Sequence, residues 1–146
     1  MKTKQQFIDA IVAQLRKTEL YNETLIEWVE AALDESWHGD LEPQIAIEPD
    51  GYRLLLYERG VEMINNKIGA EREQDAMYWI LDDRIQRAAY VELLRRHGIE
   101  PGKAHLQLTA AVQAEWTTLI QTAFAAIGGV YEQMYRSGRR SELEQR

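Results

Sequence analysis

One stretch near the middle of the chain constrains the fold more than any other. Ile45 and Ile47 alternate with Gln44, Ala46 and Glu48, and Tyr52-Arg53-Leu54-Leu55-Leu56-Tyr57 follows after Pro49-Asp50-Gly51. A period of two places alternate side chains on opposite faces of a strand. Between the two runs, proline restricts one φ angle and glycine permits a positive one, which is the chemistry of a turn. The pattern predicts an antiparallel hairpin. Glu58-Arg59-Gly60 is a second turn signal, leading to a third strand from Val61 to Ile68. So few strands are marginal alone in water, so the flanking segments must cover them.

On both sides the apolar period is helical. Thr3-Lys4-Gln5-Gln6 has the residues of a capping box, and Phe7, Ile8, Ile11, Val12 and Leu15 fall on one face behind it. This predicts a first helix from about Lys4 to Lys17 or Thr18. Asn22 is a good N-cap flanked by a Tyr21/Ile26 staple, and Leu25, Ile26, Val29 and Leu33 make the buried stripe of a second helix ending near Ser36. After the strands, a third helix begins near Glu71, with Ala76, Met77, Trp79, Ile80, Ala88, Val91 and Leu94 inward. It ends at Arg95-Arg96-His97-Gly98, with cations at the negative end of the helix dipole and glycine beyond. Past Pro101-Gly102, an apolar stripe runs from Leu108 through Val112, Ile120, Phe124 and Tyr131 to Met134, with Gly128-Gly129 as a weak point. The expectation is a mainly helical α+β fold: two N-terminal helices, a small antiparallel sheet of two or three strands, and two long C-terminal helices, all packed on one face of the sheet. Residues 1–136 would form one domain, and the polar residues 137–146 a fraying tail.

Charge is distributed unevenly. The chain of 146 residues carries a net charge of −7, which opposes binding to nucleic acid. Residues 1–50 hold 4 basic and 11 acidic side chains, whereas residues 51–146 hold 13 of each. No Lys or Arg occurs from Leu20 to Gly51. Within that block Glu23, Glu27, Glu30 and Asp34 recur at helical spacing, opposite the Leu25/Val29 stripe. Glu35, Asp40 and Glu42 follow, with Trp37 and His38 among them. Like charges one turn apart cost a helix a few tenths of a kcal/mol per pair, and a face kept only for solubility usually mixes signs. Two readings stay open: a solvated acidic face, or a docking surface that steers a basic partner and rejects anions. In the second reading Trp37 is the apolar anchor that charge alone lacks; in the first it closes the core at the helix end.

Catalytic and metal chemistry find little support. There is no cysteine, which excludes disulfides and thiolate sites and fits a reducing cytoplasm. His38, Asp40 and His105 are the only conceivable metal or hydrolase set, without a metal-ligand spacing. Asp82 and Asp83 are expected to pair with Arg84 or Arg87. No serine lies in a nucleophile elbow and no glycine loop could cradle phosphate. The basic start of the chain is not followed by an apolar signal core, and no run is long enough for a transmembrane helix. The expectations are no cofactor, no metal, no membrane and a cytoplasmic location.

A family likeness enters at the third helix. Tyr52-Arg53-Leu54-Leu55-Leu56-Tyr57-Glu58-Arg59-Gly60, Gln74-Asp75-Ala76-Met77-Tyr78-Trp79-Ile80-Leu81-Asp82-Asp83 and Ala89-Tyr90-Val91-Glu92-Leu93 resemble the immunity protein 63 family. The likeness covers roughly residues 50–95 and continues more loosely along the last helix. These are bacterial proteins encoded beside polymorphic secreted toxins. The resemblance implies a non-enzyme that binds and neutralises a cognate toxin in the cytoplasm, and it carries over no binding residues. Joined to the charge block, it makes Glu23, Glu27, Glu30, Asp34, Glu35, Trp37, Asp40 and Glu42 the expected contact surface for a basic toxin. The alternative is a non-catalytic adaptor or structural module that dimerises through the last helix.

Overall fold

The computed structural model describes residues 1–145 as a mainly helical α+β fold with a three-stranded antiparallel sheet in the order β1-β2-β3. Helix α1 is Lys4–Leu15 and α2 is Thr24–Ala32. The strands are β1 Gln44–Glu48, β2 Gly51–Glu58 and β3 Val61–Gly69. A single 3-10 turn, Ala70–Arg72, leads into α3 Glu73–Arg96, followed by α4 Ala110–Ile127, α5 Gly129–Arg136 and α6 Arg139–Glu144.

The caps set the helix limits. Thr3 Oγ1 accepts the Gln6 N–H at 3.2 Å and Gln6 Oε1 accepts the Thr3 N–H at 2.9 Å, the reciprocal pair of a capping box. Helix α1 stops at Leu15, before Lys17, where the Thr18 hydroxyl donates to the Leu15 carbonyl at 2.8 Å and occupies a helix-end acceptor. Asn22 Oδ1 accepts the Thr24 N–H at 2.9 Å at the start of α2. That helix ends at Ala32, short of Ser36, because the Asp34 carboxylate accepts both the N–H and the hydroxyl of Ser36 and turns the chain outward.

The sheet keeps the expected alternation. Ile45 pairs with Leu54, and Tyr52 pairs with Ile47 and Ile68, so these side chains share the covered face. On the other face Arg53 binds Glu48 and Asn65. Gly51 departs from expectation, since its backbone is not in the left-handed region. Glycine is required there because a Cβ would run into the Ile68 carbonyl of β3. The positive φ values fall in the second turn instead, at Arg59 (49°) and Gly60 (77°), the geometry of a tight hairpin.

Helix α3 is the axis of the molecule. Every other helix packs against it, as do β1 and β2. All residues from Asp75 to Ile85 are buried, including Tyr78, Trp79, Ile80 and Leu81. The expected one-sided stripe is therefore a helix covered all round. The last apolar stripe is not one helix either. Gly128, at φ 67° and ψ −169°, breaks it into α4 and α5, and Leu108 and Val130 stay exposed.

The C-terminal segment corrects the expectation of a fraying tail. Residues 139–144 form α6, which buries Leu143 and packs on α3, α5 and β3. Asn66 Nδ2 donates to the Leu143 carbonyl at 3.0 Å. Arg139 holds Asp75 with bonds of 2.9 and 2.8 Å. Arg140 reaches Asp82 at 3.1 Å and Glu144 at 3.0 Å. Among the described residues no helix is long and apolar enough to cross a membrane.

Candidate functional site

Glu23, Glu27, Glu30, Asp34 and Glu35 are all exposed along and just beyond α2. The carboxylates of Glu23, Glu27, Glu30 and Glu35 receive no hydrogen bond or ion pair from the described residues. Asp34 accepts from the hydroxyl and N–H of Ser36, which hold its carboxyl below its ordinary value, with a smaller pull from Lys4. Across a shallow groove, Glu27, Glu30 and Asp34 face Lys4, Gln5 and Ile8 of α1. The helices from α3 onward contrast sharply. Every carboxylate on α3 to α6 is ion-paired: Glu73 with Lys2, Asp75 with Arg139, Asp82 with Arg140 and Asp83 with Arg84, then Glu92 with Arg95, Glu115 with His97, Glu132 with Arg136, Glu142 with Arg139 and Glu144 with Arg140. Acidic charge is neutralised pair by pair on α3 to α6 and left without ion pairs on α2.

Asp40 and Glu42 belong to a different arrangement. Asp40 Oδ1 accepts the Arg59 N–H at 2.7 Å, so its carboxylate fastens the β2–β3 turn. Half-buried Glu42 accepts from Arg87 at 3.4 Å. His38 Nδ1 donates to Gln44 Oε1 at 2.8 Å and the ring stacks on Tyr57, while His105 lies apart in the wall of a pocket. Among the described residues no three His, Asp or Glu side chains converge on a metal-sized site.

That pocket is the feature the sequence did not reveal. It encloses about 860 Å³ between α2, α3, α4 and the two loops at 37–42 and 105–108. Its walls carry Trp28, Trp37, Tyr90 and Trp116, three of the four tryptophans in the chain. Trp116 is held by an indole N–H bond to the Gln86 carbonyl at 3.0 Å and lies 5.4 Å from the Tyr90 ring. The floor is ionic. Asp83 accepts from Arg84 at 2.6 Å, from Arg87 at 2.7 Å and from Arg140 at 3.5 Å. Buried Arg84 also bonds the Trp28 and Pro43 carbonyls, so its charge is compensated where burial alone would penalise it. Burial pushes the neighbouring Asp82 carboxyl up, against the pull of Arg140. The acidic groove and this pocket adjoin: Ala31 of α2 lines both.

Of the eight residues expected from the sequence, five form one acidic surface and Trp37, still 44% exposed, stands on the pocket rim. Trp28, Tyr90, Arg87 and Trp116 were missed. Each sits beside core residues in sequence, and only the packing of α2 and α4 against α3 brings them together. No protein-family model matches the chain, and no curated protein or solved structure is significantly similar to it.

Proposed function

We propose that this protein is a non-catalytic inhibitor of the toxin-immunity type, which binds a basic toxin through the acidic face of α2 and neutralises it in the cytoplasm. The observation that carries the reading is the contrast in charge pairing. Carboxylates on α3 to α6 are ion-paired without exception, yet Glu23, Glu27, Glu30 and Glu35 stand exposed and unpaired. Unpaired like charges along one helix cost stability, and a face whose glutamates hold no ion pair is available to a partner of opposite sign. Such a face raises the rate of encounter with a cationic surface, for instance the substrate cleft of an enzyme acting on nucleic acid. The sequence likeness to immunity proteins over residues 50–95 supports the same reading from a different part of the chain.

The test is protection in cells. Expressing the product of the adjacent reading frame should arrest growth, co-expressing this protein should restore it, and the two should co-purify as a complex. Restoration without a complex, or a complex that leaves arrest unchanged, contradicts the proposal.

A further inference from the structure

We propose that the aromatic pocket is the anchor site of that same interface, and that it receives one large neutral side chain, aromatic or branched aliphatic, presented between lysines or arginines of the partner. The inference rests on the acidic-face reading for its partner and on the pocket for its chemistry. The walls are Trp28, Trp37, Tyr90 and Trp116, rings that bury large apolar area at little entropic cost. Two large apolar side chains stay out in water at its mouth, Trp37 at 44% and Leu108 at 54% exposed. Exposed apolar groups rimmed by charge are typical of a protein contact.

The charges narrow the occupant further. Arg84, Arg87 and Arg140 line the floor, and their carboxylates Asp83 and Glu42 are already engaged. A lysine or arginine tip would meet three guanidiniums beside carboxylates that already hold ion pairs, so a cation is disfavoured at the floor. An anionic partner would also face Glu27, Glu30 and Asp34 in the adjoining groove, which shares Ala31 with the pocket. A neutral apolar side chain with cationic neighbours satisfies both halves. It enters the pocket while its flanking cations settle on the α2 face. An apolar knob in a desolvated pocket with charged surroundings is the usual anatomy of a binding hot spot.

The experiment uses the full chain and three peptides: acetyl-Gly-Lys-Phe-Lys-Gly-amide, the counterpart with Glu for Lys, and the counterpart with Ala for Phe. The readout is the indole N–H resonances in a nitrogen-correlated proton NMR spectrum. Trp79 is buried and bonded to Glu144, so it serves as internal reference. The expected result is that the basic Phe peptide shifts Trp28, Trp37 and Trp116 but not Trp79, with about tenfold weaker binding for each counterpart, the loss of one ~1.4 kcal/mol contribution. Ala31→Phe, which fills the pocket, and Leu108→Asp, a change at an exposed rim position, should both abolish the shifts. Unmoved indoles, or wild-type shifts in both variants, overturn the proposal. If the basic peptides move only the Glu27 and Glu30 backbone signals, the pocket fails and the acidic face survives. If the acidic peptide binds as well as the basic one, the acidic-face reading fails and the proposed occupant with it.

Discussion

At Asp82, burial works against the charged form and the Arg140 guanidinium works for it. The two are 3.1 Å apart, and Asp82 is 2% exposed. Replacing Arg140 by Met strands Asp82 and weakens the compensation of Asp83, and breaking a buried pair in this way costs about 3–5 kcal/mol. Urea denaturation of Arg140→Met checks it. Asp75 carries the pH dependence of the same region. Its hydrogen bonds from Arg139 and Arg72 hold its carboxyl below the ordinary value of 3.8. The unfolded chain therefore binds that proton more readily than the folded one. The stability Asp75 adds is complete above the ordinary value and disappears as pH falls through the lower folded value. Asp75→Asn should flatten the acid limb of a stability–pH curve, and Asp82→Asn, where the folded pKa is raised, should change the slope in the opposite sense. Arg59 holds a positive φ of 49° beside Gly60. In a turn that favours Asn-Gly, Arg59→Asn should gain about 0.5–1 kcal/mol, read as a rise in the thermal midpoint.

Among the elements, α6 departs most from what its sequence suggests. Ser137-Gly138-Arg139-Arg140-Ser141-Glu142-Leu143-Glu144 has one apolar residue among polar ones, and nothing local distinguishes it from a tail. Its order comes from partners far away in the chain: Asp75, Asp82 and Asn66. Truncation after Ser137 should accordingly destabilise the fold by several kcal/mol in urea, since it removes both arginines from buried carboxylates. Gly128, between α4 and α5, occupies a conformation that other residues reach only with strain, so Gly128→Ala should cost about 1–3 kcal/mol by the same measurement. The hairpin, the capping box and the acidic row of α2 were legible because each depends on spacing within a few residues. The all-round burial of α3 was not: Asp83 pairs with Arg84 and Arg87 as their closeness in sequence suggests, but Asp82 is met by Arg140 and Arg84 by the Trp28 and Pro43 carbonyls, all from distant segments. The pocket was hidden for the same reason, its rings being spread over α2, α3 and α4 and a loop.

Across the whole molecule, charge and apolar surface are segregated. The carboxylates of α3 to α6 are held in ion pairs, the α2 face remains acidic, and the aromatic pocket opens beside it. Reversing Glu23, Glu27 and Glu30 to Lys touches no side-chain hydrogen bond among the described residues, exchanges like-charge pairs of one sign for the other and turns the 30/34 pair from repulsive to attractive. Folding stability should therefore stay within about 0.5 kcal/mol of wild type, which separates an effect on binding from an effect on the fold. The measurement that tests the account most directly is the association rate of this triple variant with the product of the adjacent reading frame, followed across ionic strength. The account predicts association slower by about tenfold or more at low salt, with the salt dependence of the wild type largely lost. Association rates and salt dependence equal to wild type would contradict it.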